Sequence, residues 1–156
     1  MDDIKAQFIS LIRNNWNPSA TNWGNVPSVT SGYMENNTYD EPSILLLGPN
    51  ESVLGGGETG YSAIQSGTGR PMSRMIGDLF AMCITHERMG LSESPEYVAR
   101  QMRDELRRIV SNHYDNPFTG VHWISFFSSS QGEDRTRQPI WHTFDCILRY
   151  CYDYRL

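Results

Sequence analysis

Lysine is almost missing from this chain: Lys5 stands alone beside twelve arginines. A phosphate-cradling Gly-x-x-x-x-Gly-Lys-Ser/Thr loop needs a lysine, so the glycines at 55–57 lack that chemistry, and Gly-x-Gly-x-x-Gly is missing as well. Net positive charge is lacking too. The formal charge is -5 and the pI about 5.3, which argues against a generic nucleic-acid coat while leaving room for a local basic patch. Cysteine is scarce. Cys83, Cys146 and Cys151 form no Cys-x-x-Cys, and the odd count favours buried thiols over a disulfide frame. No apolar run approaches the ~20 residues of a membrane-crossing helix. Met1-Asp2-Asp3-Ile4 carries acids where a signal peptide needs positive charge. The expectation is a soluble protein made in a cytoplasm, with no membrane partner.

What is present is a well-patterned last third, from Ser94 to Leu156. Ser94 suits a helix N-cap and Pro95 the first helical position. Val98, Met102, Leu106, Ile109, Val110 and His113 recur three and four apart, so a helix over 94–113 presents one apolar stripe. Glu96–Arg100, Arg100–Asp104 and Asp104–Arg108 are spaced to pair on its outer face. Asn116-Pro117 disfavours continuing it. Gly120 to Ser129 is aromatic and β-branched, which predicts a strand. Gln131 to Arg137 reads as a charged turn. From Pro139 a second strand alternates: Ile140, His142, Phe144, Cys146, Leu148, Tyr150, Tyr152 and Tyr154 share one face. This strand is far longer than the usual ~5–6 residues, so it needs partners in its own sheet or a neighbouring subunit.

The earlier chain is less regular. Asp2 or Asp3 can cap a first helix to about Asn14, with Ile4, Phe8, Leu11 and Ile12 as its stripe. An irregular stretch then runs to about Pro42, carrying Trp16, Trp23, Val26, Tyr33, Met34 and Tyr39. Loops of that length are often functional, but aromatics within them more simply anchor the loop to the body. Ser43 to Leu47 predicts a buried strand. A glycine-rich segment spans 55–69, with room for a short strand at Tyr61 to Gln65. Met72 to Thr85 reads as a strand rather than a helix because of Gly77 and Ile84-Thr85. The 156 residues form one domain, 1–156, with long loops at about 16–41 and 50–70. Its expected class is α+β. A mixed or mainly antiparallel sheet of about four strands carries two helices on one face and ends in a long C-terminal hairpin.

Candidate chemistry is sparse, and the expected catalytic, cofactor and metal sites are none. Asp78 and Glu87, with Arg88 alongside, could hold Mg²⁺ in a nuclease-like enzyme, but the lysine that such cores use is missing. His86, His113, His122 and His142 have no local zinc spacing. No Gly-x-Ser-x-Gly elbow supports a serine triad. Arg100, Arg103, Arg107 and Arg108 could touch phosphate or line a subunit interface, though Glu96, Asp104 and Glu105 between them favour a solvated, salt-paired face.

This order of elements resembles the small tail-terminator and head-to-tail joining (neck) proteins of long-tailed viruses. The likeness rests on the N-terminal helix, the strand at Pro42 to Leu47, the strand ending near Thr85, the helix at Ser94 to His113 and the hairpin at Val121 to Tyr154. It covers most of the chain and includes no signature motif. The segments at Trp16 to Asp40 and 55–69 depart from it as added loops. The resemblance implies a ring, usually a hexamer, that terminates the tail tube and joins it to the neck or head-completion protein. DNA would be met only as it passes through the channel. Arg100, Arg103, Arg107, Arg135, Arg137, Tyr150, Tyr152, Tyr154, Trp16 and Trp23 are the candidate interface residues, and the virion is the expected location. The arginine excess is compatible with a halophilic archaeal host. Alternatives are the nuclease-like enzyme and a small monomeric α+β binding module.

Overall fold

The computed structural model describes residues 3–32, 39–53, 64–65 and 71–155. Tyr33, Met34, most of the glycine-rich segment and the start of the Tyr61 to Gln65 strand lie outside them. Helix α1 spans Ile4–Asn15, and Asp3 caps it by accepting from the Lys5 and Ala6 amides. Helix α2 spans Pro95–Asn112, with Ser94 Oγ accepting from the Tyr97 amide as its sequence predicts. The strands are β1 (Ser28–Ser31), β2 (Ser43–Val53), β3 (Ile64–Gln65), β4 (Pro71–Thr85), β5 (Asp115–Phe118), β6 (Val121–Asp134) and β7 (Trp141–Arg155).

They form one seven-stranded sheet in the order β1-β2-β4-β7-β6-β5, with β3 pairing the end of β4. Only β1–β2 is parallel, so the sheet is mixed. About four strands was therefore an undercount. The missed β1 and β5 are four residues each, too short to show an alternation, while β3 falls within the short strand expected at Tyr61 to Gln65. β6 also continues through Asp134, well past Ser129, because its polar far end pairs with β7 as far as Trp141.

The two faces of the sheet differ. On one, Ile44, Leu46, Leu79, Ala81, Cys83, Phe144, Cys146, Leu148 and Tyr150 join Phe8 and Ile12 of α1 and the buried stripe of α2 in one core. Both helices thus cover the same face, as expected. Helix α2 runs along the hairpin and is tied to it in sequence order. Gln131 Nε2 donates to Glu96, Arg103 donates to Ser129 and stacks over Phe144, and Arg107 stacks over Phe126. Glu96–Arg100 forms at 3.8 Å, but the other expected pairs do not. Asp104 takes Arg103, and Arg108 takes Glu105, which is buried against the end of α1. There Glu105 accepts from the Asn17 amide, while Arg108 donates to the Asn15 carbonyl.

Gly77 explains a further piece of the core. It sits between Glu51 on β2 and Tyr150 on β7 in one cross-strand row. With no side chain at Gly77, the Tyr150 ring crosses above it and its hydroxyl donates to Glu51 Oε1 at 2.5 Å. Tyr152 stacks on Tyr150, with centroids 6.0 Å apart, and donates to the other Glu51 oxygen at 2.8 Å. Burial, then the adjacent Glu51 carboxylate, pushes both phenols up: Tyr152 to about 12, and Tyr150 higher still.

Candidate functional site

The opposite face of the sheet carries part-exposed apolar side chains that neither buried cluster takes in. Its cross-strand rows follow from the pairing register. Leu47, Phe80 and Ile147 form one row, ending at Ser128 on β6. Asn50, Asp78, Arg149 and Ser125 form the next, and Ser52, Ile76, Cys151 and Trp123 the one beyond. Leu47, Phe80, Ile147, Ile76 and Trp123 are part-exposed and belong to neither buried cluster. Phe127, bulged out of β6, is 53% exposed. Among the described residues, both helices pack on the far side, which leaves these apolar side chains only partly covered.

One ion pair crosses that face. Arg149 grips Asp78 with two nitrogens, at 2.8 and 3.2 Å, and lies 3.6 Å from the centre of the Phe127 ring. A planar guanidinium held this way is a flat, pre-ordered contact surface. Nearer the chain end, Arg74 and His122 both reach Asp153, at 3.1 and 2.8 Å. Burial raises the Asp153 carboxyl, but those two hydrogen bonds outweigh it and hold the group below its ordinary range.

The other end of the face is closed by a small second core of Tyr39, Leu45, Ile84, Met89 and Trp141. Tyr39 meets Trp141 edge-on at 5.3 Å, and Arg137 stacks on the indole at 3.7 Å. Asp134 fixes the hairpin tip: it accepts from the Thr136 hydroxyl and amide and from Arg137, which holds its carboxyl below the ordinary range. Beside this tip lies a cleft of about 420 Å³ lined by Tyr39, His86, Arg88, Arg137, Pro139 and Trp141 among others. His86 Nδ1 accepts from the Arg88 amide, so its Nε2 carries the proton donated to the Tyr39 carbonyl at 2.6 Å.

The candidate interface residues divide. Arg135 and Arg137 stand together at the hairpin tip, with Arg135 paired to Glu133. Arg100 is exposed on α2, whereas Arg103 and Arg107 lie over hairpin rings. Tyr154 is 55% exposed, Tyr152 is part-buried and Tyr150 is fully buried. Trp16 is buried and Trp23 packs against the main core, so these aromatics anchor their segment. Tyr39 does the same for the second core.

The nuclease pair does not converge. Asp78 is in mid-strand and engaged by Arg149, while Glu87 follows the end of β4. The strand between them alone separates them by roughly 23 Å, far beyond a shared ion. Sequence spacing also missed a side-chain cluster. Glu96, Glu133 and His142 bring possible ligand atoms within 4.8 Å of one another from three different elements. Only the strand register that places Glu133 opposite His142 could have revealed part of it. No family model matches this sequence, and no curated protein matches it either.

Proposed function

We propose that this chain is a structural virion protein that forms a ring at the head–tail junction, ending the tail tube and joining it to the neck. The observation that carries the reading is the part-exposed apolar face around Leu47, Phe80 and Ile147, crossed by the clamped Arg149. A ring subunit needs a surface of this kind: apolar enough to bury against a neighbour, with one fixed polar pair to set orientation. The order α1, β2, β4, α2 and the β6–β7 hairpin is the order on which the viral resemblance rests. The exposed Arg135 and Tyr154 lie at opposite ends of the hairpin, where they can serve contacts above and below a ring. DNA is met only in transit through the channel, and the ring holds six copies.

Electron microscopy of the purified protein, alone and mixed with tail tubes, tests this. Rings with a central channel that seat on tube ends are expected. Particles of single-subunit size that leave tube ends bare would remove the proposal. A second reading, a monomeric binding module, is favoured by the cleft at the hairpin tip, where Arg88 and Arg137 flank the Tyr39 and Trp141 rings. It predicts a small anionic ligand and no ring.

A further inference from the structure

We propose that Glu96, Glu133 and His142 form a divalent-cation site that clips the first turn of α2 to the hairpin. This goes beyond the ring reading and does not depend on it. The three residues come from α2, β6 and β7, and one possible ligand atom of each lies within 4.8 Å of the others. Each carboxylate is already oriented through one oxygen. Gln131 Nε2 holds Glu96 Oε1 at 2.5 Å, and Arg135 Nε holds Glu133 Oε2 at 3.0 Å.

The second observation is independent of the clustering. His142 Nδ1 is buried from solvent and makes no hydrogen bond, although the imidazole as a whole remains one-quarter exposed. Glu133 Oε1 lies 3.7 Å from it. That is too long for a hydrogen bond. Two ligands on one tetrahedral ion, each bonded at about 2.0–2.1 Å, stand about 3.3 Å apart, so a small closure would bring both onto a cation. A bound ion would satisfy the orphaned nitrogen, which a buried polar atom otherwise lacks at a cost.

One imidazole and two carboxylates suit Zn²⁺ or a similar first-row ion better than Ca²⁺ or Mg²⁺, which prefer oxygen alone. Two carboxylates neutralise its charge, and a fourth position stays open for water. Two guanidiniums oppose a cation here: Arg100, 3.8 Å from Glu96, and Arg135. Both side chains are about half exposed or more and can turn into water.

The test uses the full chain, freed of metal with a chelator, and titrates ZnCl₂ by calorimetry and CoCl₂ by visible absorption. One equivalent of Zn²⁺ is expected, with a rise in melting temperature. His142→Gln and Glu133→Gln should each weaken binding at least about tenfold and abolish that rise. Glu96→Gln, at a part-exposed position where the amide keeps an oxygen for Gln131, should weaken binding in the same way. His122→Gln should bind as the parent does. No Zn²⁺ uptake at millimolar metal would overturn the proposal. So would equal uptake by His142→Gln and Glu133→Gln, which would assign the metal to other groups.

Discussion

Gly77→Ala should destabilise this protein, although general strand preference points the other way. In a strand interior glycine costs roughly 0.5–1 kcal/mol against alanine, so an ordinary site would gain stability. At Gly77 a Cβ would fall on the Tyr150 ring, 2.5 Å from Cε1 and closer still to Cζ and the hydroxyl. The obstacle is a fully buried ring flanked by Phe8 and Tyr152. Tyr150 must therefore swing off its rotamer or push β4 from β7. Overpacking of this kind costs about 1–3 kcal/mol, and losing the hydroxyl bond to Glu51 adds about 1 kcal/mol. After the backbone gain is subtracted, the net loss is about 1–3 kcal/mol, or a fall in Tm of roughly 3–10 °C at this chain length. Thermal and urea melts measure it. Tyr150→Phe alone should cost about 1 kcal/mol. Tyr150→Leu, made in the Gly77→Ala background, should cost less than it does in the parent, because the clash is relieved. A Gly77→Ala protein that melts higher than the parent would refute the reasoning.

Three further outcomes follow from buried polar groups and the chain end. Burial raises the Asp145 carboxyl above its ordinary 3.8, with the Thr143 hydrogen bond opposing, so the fold favours its protonated form. Its penalty is absent below about pH 3.8 and grows as pH rises through the folded value. Asp145→Asn should therefore raise Tm at pH 7 and lose the advantage near pH 3, as melts across that range would show. Arg108→Ala leaves Glu105 buried beside the Asn17 amide without its cation, and should cost about 1–3 kcal/mol in chemical denaturation. Glu105→Gln in that background should recover part of the loss. From sequence, truncation after Arg149 is expected to weaken assembly more than folding. The cut also removes the fully buried Tyr150 and Cys151, so folding should fail along with assembly. Both properties should be lost, whereas truncation after Asp153 should leave a folded protein by circular dichroism.

Periodic elements were legible in the sequence because their burial is regular. The α2 stripe, its Ser94 cap and the alternation of β7 each follow from a repeat long enough to count. Gly77 pointed to a strand, but its role under Tyr150 depends on register, which the sequence does not display. Edge strands β1 and β5 were invisible for the same reason: four residues carry no period, and their pairing is decided by neighbours distant in the chain. The partly covered face could be read only in outline. Asp78 looked like a potential metal ligand until the pairing of β4 with β7 set Arg149 opposite it. Glu105 looked solvated because its neighbours are charged, yet the helix turns it toward α1.

In the proposed ring, the face around Phe80 and Ile147 joins one subunit to the next. Mass measurement of the intact chain in solution, over a concentration series, tests it most directly. A single discrete assembly of six copies is expected, which Phe80→Asp and Ile147→Asp each reduce to folded monomer. A chain that stays monomeric at every concentration, or an assembly untouched by both substitutions, would contradict it.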